Sequence, residues 1–220
     1  MQAGLVRIPE EIRFELLRLY VGIEDIIKSR LLEFQNFDKN DVEKLFSEMS
    51  FCVLTPQSRA KSADAAVREL VKDGLLFNGT YHQVADVLRK WNVRFYEAKA
   101  RYIVHNRYLL KDNGAILKSA LRLNSFECRE FLVEKVWGFG YKEASHFLRN
   151  IGFTGLAILD RHILRNMKYM GVIDEVPKSL TRSRYFKLEQ IFIAAAYSLG
   201  ISPESLDLLL WYRSTGEVFK

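Results

Sequence analysis

Apolar positions along this chain recur at helical rather than alternating spacing almost from end to end. After Pro9, the residues Ile12, Leu16, Leu17, Tyr20, Ile23, Ile26 and Ile27 form one stripe, which predicts a helix to about residue 34. The same periodicity predicts helices over 41–54, 62–73 and 81–91. A long one, rich in aromatic and basic residues, is predicted over 95–110, and a short one over 115–123. Later helices are predicted over 160–170, from 181 or 183 to 199, and from 203 to about 214. Gly74, Gly171 and Gly200 stand where helices should stop. All four prolines fall at or between predicted helices, and Pro9 and Pro203 suit a first turn, whose N–H has no helical partner in any case. No strand pair, repeat or low-complexity linker emerges, so the fold class is all-α.

The segment from 124 to 160 carries the chemistry. Asn124 is a candidate N-cap with Glu127 three residues on, the spacing of a capping box. The helix it opens should run to about 134 or 135. Gly138 and Gly140 then break it, permitting left-handed backbone angles and a close approach to a ligand. A second helix is predicted over 142–150, with Gly152 as a left-handed C-cap. Its N-terminus offers unpaired N–H groups and the positive end of its dipole, which suits a phosphate. Such a hairpin can hold a nucleic-acid backbone without reading bases; it can equally be a packing corner with no ligand. Lys142 sits at that helix start, where the dipole and some burial should lower its pKa and free an amine for attack on carbon. The alternative is a solvated surface lysine. Asp160 precedes 161–167 and reads as an N-cap, or as a carboxylate that stabilises positive charge in a transition state.

Composition narrows the partners. The chain has 220 residues, 49% of them hydrophobic, enough for one cored domain. Its net charge is +6 with a pI near 9.2, which suits a polyanionic partner. Two cysteines, Cys52 and Cys128, make no disulfide framework, so a reducing interior is expected. No signal peptide or membrane-length apolar run is read, which points to an intracellular protein with no membrane partner. Four histidines lack a zinc-ligand constellation. Within 95–107, the residues Phe95, Tyr96, Lys99, Arg101, Tyr102, His105 and Arg107 mix aromatic rings with positive charge, as base stacking and phosphate contact require. At helical spacing most of them read as core or solvated face.

Taken together, Val136-Trp137-Gly138-Phe139-Gly140, Lys142 two places on and the downstream Asp160 resemble the helix-hairpin-helix DNA glycosylases. They are similar to the bifunctional branch, whose hairpin reads Leu-Pro-Gly-Val-Gly and then lysine two places on; here Trp137 stands in the proline's place. The stretch from Phe51 to Ser58 resembles that family's early helix and turn, with Gln57 where a polar residue fills the gap left by a flipped base. The stretch from Arg94 to Ala100 also has the family's look. Two cysteines, both before Asp160, exclude the four-cysteine iron–sulfur site of other branches. The chain length and the stretch from Leu210 to Lys220 look like the type-2 8-oxoguanine DNA glycosylase/AP lyases.

That resemblance implies a two-lobed fold with its active-site cleft between the lobes. One glycosylase domain would span 1–220, its N- and C-terminal helices forming one lobe and central helices, about 50–160, the other, with the helix-hairpin-helix at about 125–151. It implies a base-excision repair enzyme that flips 8-oxoguanine out of duplex DNA. Lys142 would form a Schiff base, Asp160 would stabilise charge, and β-elimination would nick the strand. Lys220, Trp211 and Phe95 would recognise the base, and Gly138, Gly140, Gln57 and His162 would contact DNA. Any bound metal would be a monovalent cation at the carbonyls of Val136 and Gly138. The protein would act as a monomer in the cytoplasm, at the nucleoid. The alternatives are a non-catalytic DNA-binding module, or the same chemistry on an oxidised pyrimidine.

Overall fold

The computed structural model describes residues 6–220, which fold into α-helices joined by turns and by two longer connections, 151–160 and 170–181, with no strand among them. Contacts divide the chain into two compact units, one made of the chain up to Phe37 with Leu148–Lys220, the other of Asp38–Phe147. The central unit thus starts earlier and ends earlier than the outline of about 50–160 drawn from sequence, because the helix at 42–54 packs with the central helices that follow it.

In the terminal unit, α1 (Glu10–Gln35) packs on α12 (Pro203–Thr215), which also touches α10 (Arg161–Tyr169) and α11 (Arg182–Leu199). Leu16, Ile23, Ile27 and Phe34 form the buried stripe of α1. Ile26, expected in that stripe, is 56% exposed, because one residue before Ile27 is about 100° round the helix. The helix α12 is buried on every side from Pro203 to Leu210, which is why its apolar residues run consecutively rather than as a stripe. Burying each of its leucines contributes about 1.5–3 kcal/mol. Thr181 and Ser202 cap α11 and α12 through their hydroxyls, and the left-handed Gly200 and Gly216 end them.

The central unit holds α2 (Val42–Leu54), α3 (Ala60–Lys72), the single-turn α4 (Leu75–Asn78), α5 (Tyr81–Lys90) and α6 (Tyr96–Asn106). It continues through α7 (Lys111–Ala120) and α8 (Ser125–Lys135) into α9 (Tyr141–Asn150). Asp41 caps α2, and Thr80 with Gln83 forms a full capping box on α5. The long helix expected over 95–110 is shorter: α6 ends at Asn106 and a 3-10 turn, Arg107–Leu110, follows. Arg107 explains the turn and is no phosphate contact. Its guanidinium donates to the carbonyls of Leu76 (3.0 Å), Gly79 (2.6 Å) and Leu75 (2.8 Å) at the end of α4, where only the Leu75 carbonyl also accepts a helical bond, from the Gly79 N–H. The opening of α7 is left-handed at Asp112, Asn113 and Gly114, so its regular turns begin near 115, as the pattern predicts. No helix among the described residues is long and apolar enough to cross a membrane.

Candidate functional site

The hairpin between α8 and α9 is built as the sequence predicts at its start. The side chain of Asn124 accepts from the N–H groups of Phe126 and Glu127, each at 3.0 Å. Gly138 takes the left-handed region at φ +90, and a Cβ there would lie 2.7 Å from the Tyr102 ring. Gly140 departs from expectation. Its φ is not left-handed, and its N–H donates to Glu143 Oε2 at 3.1 Å. A helix-terminal N–H that could have faced a phosphate is therefore held by a side chain.

Asn106, buried to 1% exposure, clamps the hairpin. Its amide donates to the Trp137 carbonyl at 3.0 Å and accepts the Trp137 N–H at 2.9 Å. Proline at that position could not donate the second bond, so tryptophan adds a tie. The Trp137 side chain is 50% exposed and stacks on His105, with ring centroids 3.6 Å apart and planes 16° from parallel. Tyr108 donates to the Lys135 carbonyl at 2.8 Å. Arg129, wholly buried in α8, donates to Ser145 at 3.1 Å and lies over the rings of Phe126 and Tyr141, joining α8 to α9.

Lys142 occupies the first turn of α9, half-buried, with its ammonium 3.0 Å from Glu143 Oε1. Glu143 thus bridges the hairpin backbone and the lysine. Gln57 and Phe95 are exposed, and both adopt left-handed angles without being glycine, at φ 55 and 56. Among the basic residues of the neighbouring segment, Lys99 is only 4% exposed, so it is neither a phosphate contact nor a solvated lysine.

The remaining candidates lie in the terminal unit. Asp160 caps α10, its Oδ1 accepting the Ile163 N–H at 2.8 Å, and a carboxylate has a second oxygen to offer. The extended run before it, Leu156 to Leu159, is buried, and its backbone is met by side chains from α11 and α12. Glu189 accepts the Ala157 N–H at 2.9 Å, Tyr185 donates to the Ala157 carbonyl, and Glu204 accepts the Gly155 N–H at 2.7 Å. Those bonds fix where Asp160 begins its helix. Asp207, on α12, pairs with Arg149 at 3.2 Å. Burial pushes its carboxyl up to about 7; Arg149 opposes this, and Asp160 and Glu204 reinforce it. His162 and Trp211 come together edge to face, with ring centroids 5.2 Å apart. The Trp211 Nε1 is buried with no acceptor among the described residues. Lys220 is half-buried, beyond the left-handed turn at Gly216.

No group of three or more His, Cys, Asp or Glu among the described residues could hold a metal ion. Of the two hairpin carbonyls expected to take a monovalent cation, that of Val136 accepts the Phe139 N–H at 3.1 Å, which uses one of its two lone pairs. Cys128 is buried, and burial pushes its thiol up to about 12, so it is no nucleophile near neutral pH. Sequence reasoning missed Asn106, Glu143, Arg129 and Asp207. A lone polar residue in a helix reads as solvated surface; for Asn106, Arg129 and Asp207 only the partner from another segment reveals otherwise, while Glu143 meets the nearby Lys142 and Gly140.

Comparison with known proteins gives consistent matches. The family model described as 8-oxoguanine DNA glycosylase matches residues 27–201. An 8-oxoguanine DNA glycosylase/AP lyase of Fusobacterium nucleatum is 41% identical over 211 residues, covering 94% of this chain and 96% of the relative. The crystal structure of the 8-oxoguanine DNA glycosylase of Thermotoga maritima superposes with a TM-score of 0.87 at 40% identity, covering 96% of this chain and 99% of that one. The 8-oxoguanine glycosylase/lyase of Methanocaldococcus jannaschii, solved with a 15mer DNA containing 8-oxoguanine, gives 0.87 at 36% identity, covering 96% of this chain and 100% of that one.

Proposed function

Because the chain belongs to the 8-oxoguanine DNA glycosylase family, we infer that it excises 8-oxoguanine from duplex DNA and then nicks the strand at the base-free sugar. The carrying observation is a half-buried lysine in the first turn of α9, directly after a hairpin tied down by Asn106. In this reading the hairpin backbone about Gly138 holds a phosphate, joined by the Gly140 N–H once Glu143 releases it; the Val136 and Gly138 carbonyls would hold a monovalent cation, which would supply positive potential there. The base is rotated out, since its glycosidic bond is inaccessible within the stack. Gln57 fills the gap, Phe95 and Trp211 are the stacking candidates for the base, Lys220 contacts its edge, and His162 contacts phosphate.

Lys142 must attack as the free amine, so its proton goes to a base; Glu143 Oε1, at 3.0 Å, is the nearest carboxylate oxygen to it in α9. The amine nitrogen bonds to C1′ as the C1′–base bond breaks, and Asp160 stabilises the positive charge that develops on the sugar. The departing base takes up a proton, the C1′–O4′ bond then opens with O4′ taking another, and a protonated Schiff base is left at C1′. It acidifies the proton on the neighbouring C2′, whose loss drives β-elimination of the 3′ phosphate. The enzyme works as a monomer in the cytoplasm, at the nucleoid.

Borohydride trapping tests the reading. Wild type should form a covalent complex on an 8-oxoguanine duplex, far less on an oxidised-pyrimidine duplex, and none on undamaged DNA. Lys142→Gln should keep DNA affinity and trap nothing. Binding without any trapped complex would favour a non-catalytic module, and trapping by Lys142→Gln at wild-type yield would refute the assignment of the nucleophile.

A further inference from the structure

A lysine ammonium is costly to bury unless its donors are met, and Lys99 is 4% exposed. Its Nζ donates to the Leu54 carbonyl at 2.8 Å, the Pro56 carbonyl at 2.7 Å and Ser58 Oγ at 3.0 Å. Three donors meet three acceptors, none of which carries a formal charge. Burial, reinforced by the positive charges of Lys142 and Arg94 and opposed by Glu143, draws the ammonium down to about 8. Well-packed apolar side chains often replace buried charges at no loss of stability. What an apolar side chain could not do here is tie backbone.

The tie runs in two directions. Leu54 is the last residue of α2, so its carbonyl lies at the negative end of that helix, where a cation is favourable. Ser58 Oγ also accepts the Arg94 N–H at 2.9 Å, and the backbone N–H of Lys99 donates to the Phe95 carbonyl at 3.0 Å. One residue therefore joins the turn at 54–58 to the start of α6. Each of those two segments carries one exposed non-glycine residue in the left-handed region, Gln57 and Phe95. Such conformations persist only where the surroundings over-determine them.

We propose that Lys99 and Ser58 are positioning residues that hold Gln57 and Phe95 at a fixed separation, coupling entry of a side chain into the duplex to reception of the extruded base. The proposal rests on the excision reading above. Neither residue touches substrate; both act through the backbone of the two segments. Their effect belongs to base extrusion, so it should be absent where no base remains to be extruded.

The full-length Ser58→Ala, Ser58→Thr and Lys99→Met variants test this on three readouts. These are single-turnover excision from an 8-oxoguanine duplex, cleavage of the same duplex carrying a preformed base-free site, and fluorescence of 2-aminopurine placed opposite the lesion. Ser58→Ala and Lys99→Met should lose excision by about tenfold or more, the scale of a misplaced positioning group. Both should also lose the fluorescence rise on binding, while base-free cleavage changes little. Ser58→Thr, which keeps the oxygen, should restore both. Equal losses on both substrates, in step with the folded fraction, would reduce the pair to structural residues and overturn the proposal. So would a Ser58→Ala enzyme with wild-type excision and fluorescence. If Lys99→Met does not fold, the Ser58 pair decides. A wild type that leaves 8-oxoguanine in place overturns the excision reading instead, and the fluorescence comparison then still decides the positioning.

Discussion

Asp160 has a structural role as a cap, and a substitution can separate from it the chemical role proposed above. Its Oδ1 caps α10 through the Ile163 N–H, and asparagine caps a helix about as well as aspartate. Asp160→Asn should therefore leave the unfolding free energy within about 0.5 kcal/mol of wild type. The charge is lost, however, and excision in single-turnover conditions should fall by about a hundredfold or more. Unchanged excision would leave Asp160 a cap and nothing else. Lys142 is the converse case. A cation in the first turn of a helix is disfavoured by the dipole, yet Glu143 sits 3.0 Å away and faces it with the opposite charge. The cost of placing lysine there is met by its own neighbour in sequence.

At the scale of the element, the hairpin has one glycine that its backbone requires and one that it merely accommodates. Gly138 combines φ +90 with a Cβ position 2.7 Å from the Tyr102 ring, so alanine there is strained in backbone and crowded in side chain. Gly140 has ordinary angles, and its added Cβ would meet Glu143 Oε2 at 3.2 Å, the end of a flexible side chain. Gly138→Ala should lower stability by about 1–3 kcal/mol. Gly140→Ala should cost less than about 1 kcal/mol, as for most substitutions outside strained sites. Urea midpoints of the two variants check the order, and a reversed order would mean that the hairpin relaxes away from Tyr102. The hairpin is held from outside as well, by the Asn106 amide on both polar groups of Trp137.

For the whole molecule, charge governs how it meets DNA and how its stability responds to pH. With a net charge of +6, and if the hairpin grips the backbone as proposed, duplex affinity should fall by about 0.9 log units per log unit of salt for each phosphate neutralised. Undamaged and lesion duplexes should share nearly the same slope, measured by equilibrium binding across salt; a flat line would contradict a phosphate grip. Asp207 gives an opposite pH trend to most carboxylates. Its folded pKa is raised to about 7 from an ordinary 3.8, so the folded state keeps a proton that the unfolded state releases. Its contribution to stability is full below about 4 and is lost as pH rises through about 7. Wild type should therefore lose stability over that range relative to Asp207→Asn, read as the difference in urea midpoints. A constant difference would mean that Arg149 keeps Asp207 ionised throughout.

Helix positions were legible because their signals are local. Apolar periodicity, the caps at Asp41, Asn124, Asp160, Thr181 and Ser202, and the glycine stops all act within a few residues, so they can be read in one dimension. The hairpin and the helix-start positions of Lys142 and Asp160 were legible for the same reason, and the chemistry proposed for them comes from the likeness of their spacing to a known family. Side-chain partners were not. Lys99 reads as one more cation in a basic helix, and only the carbonyls of Leu54 and Pro56, more than forty positions earlier in the chain, make it a buried tie. Asn106, Arg107 and Glu189 likewise find their partners in other segments, at Trp137, at Leu75 to Gly79, and at Ala157. A polar residue's worth depends on whether water or protein meets its hydrogen bonds, and that is decided when distant segments pack.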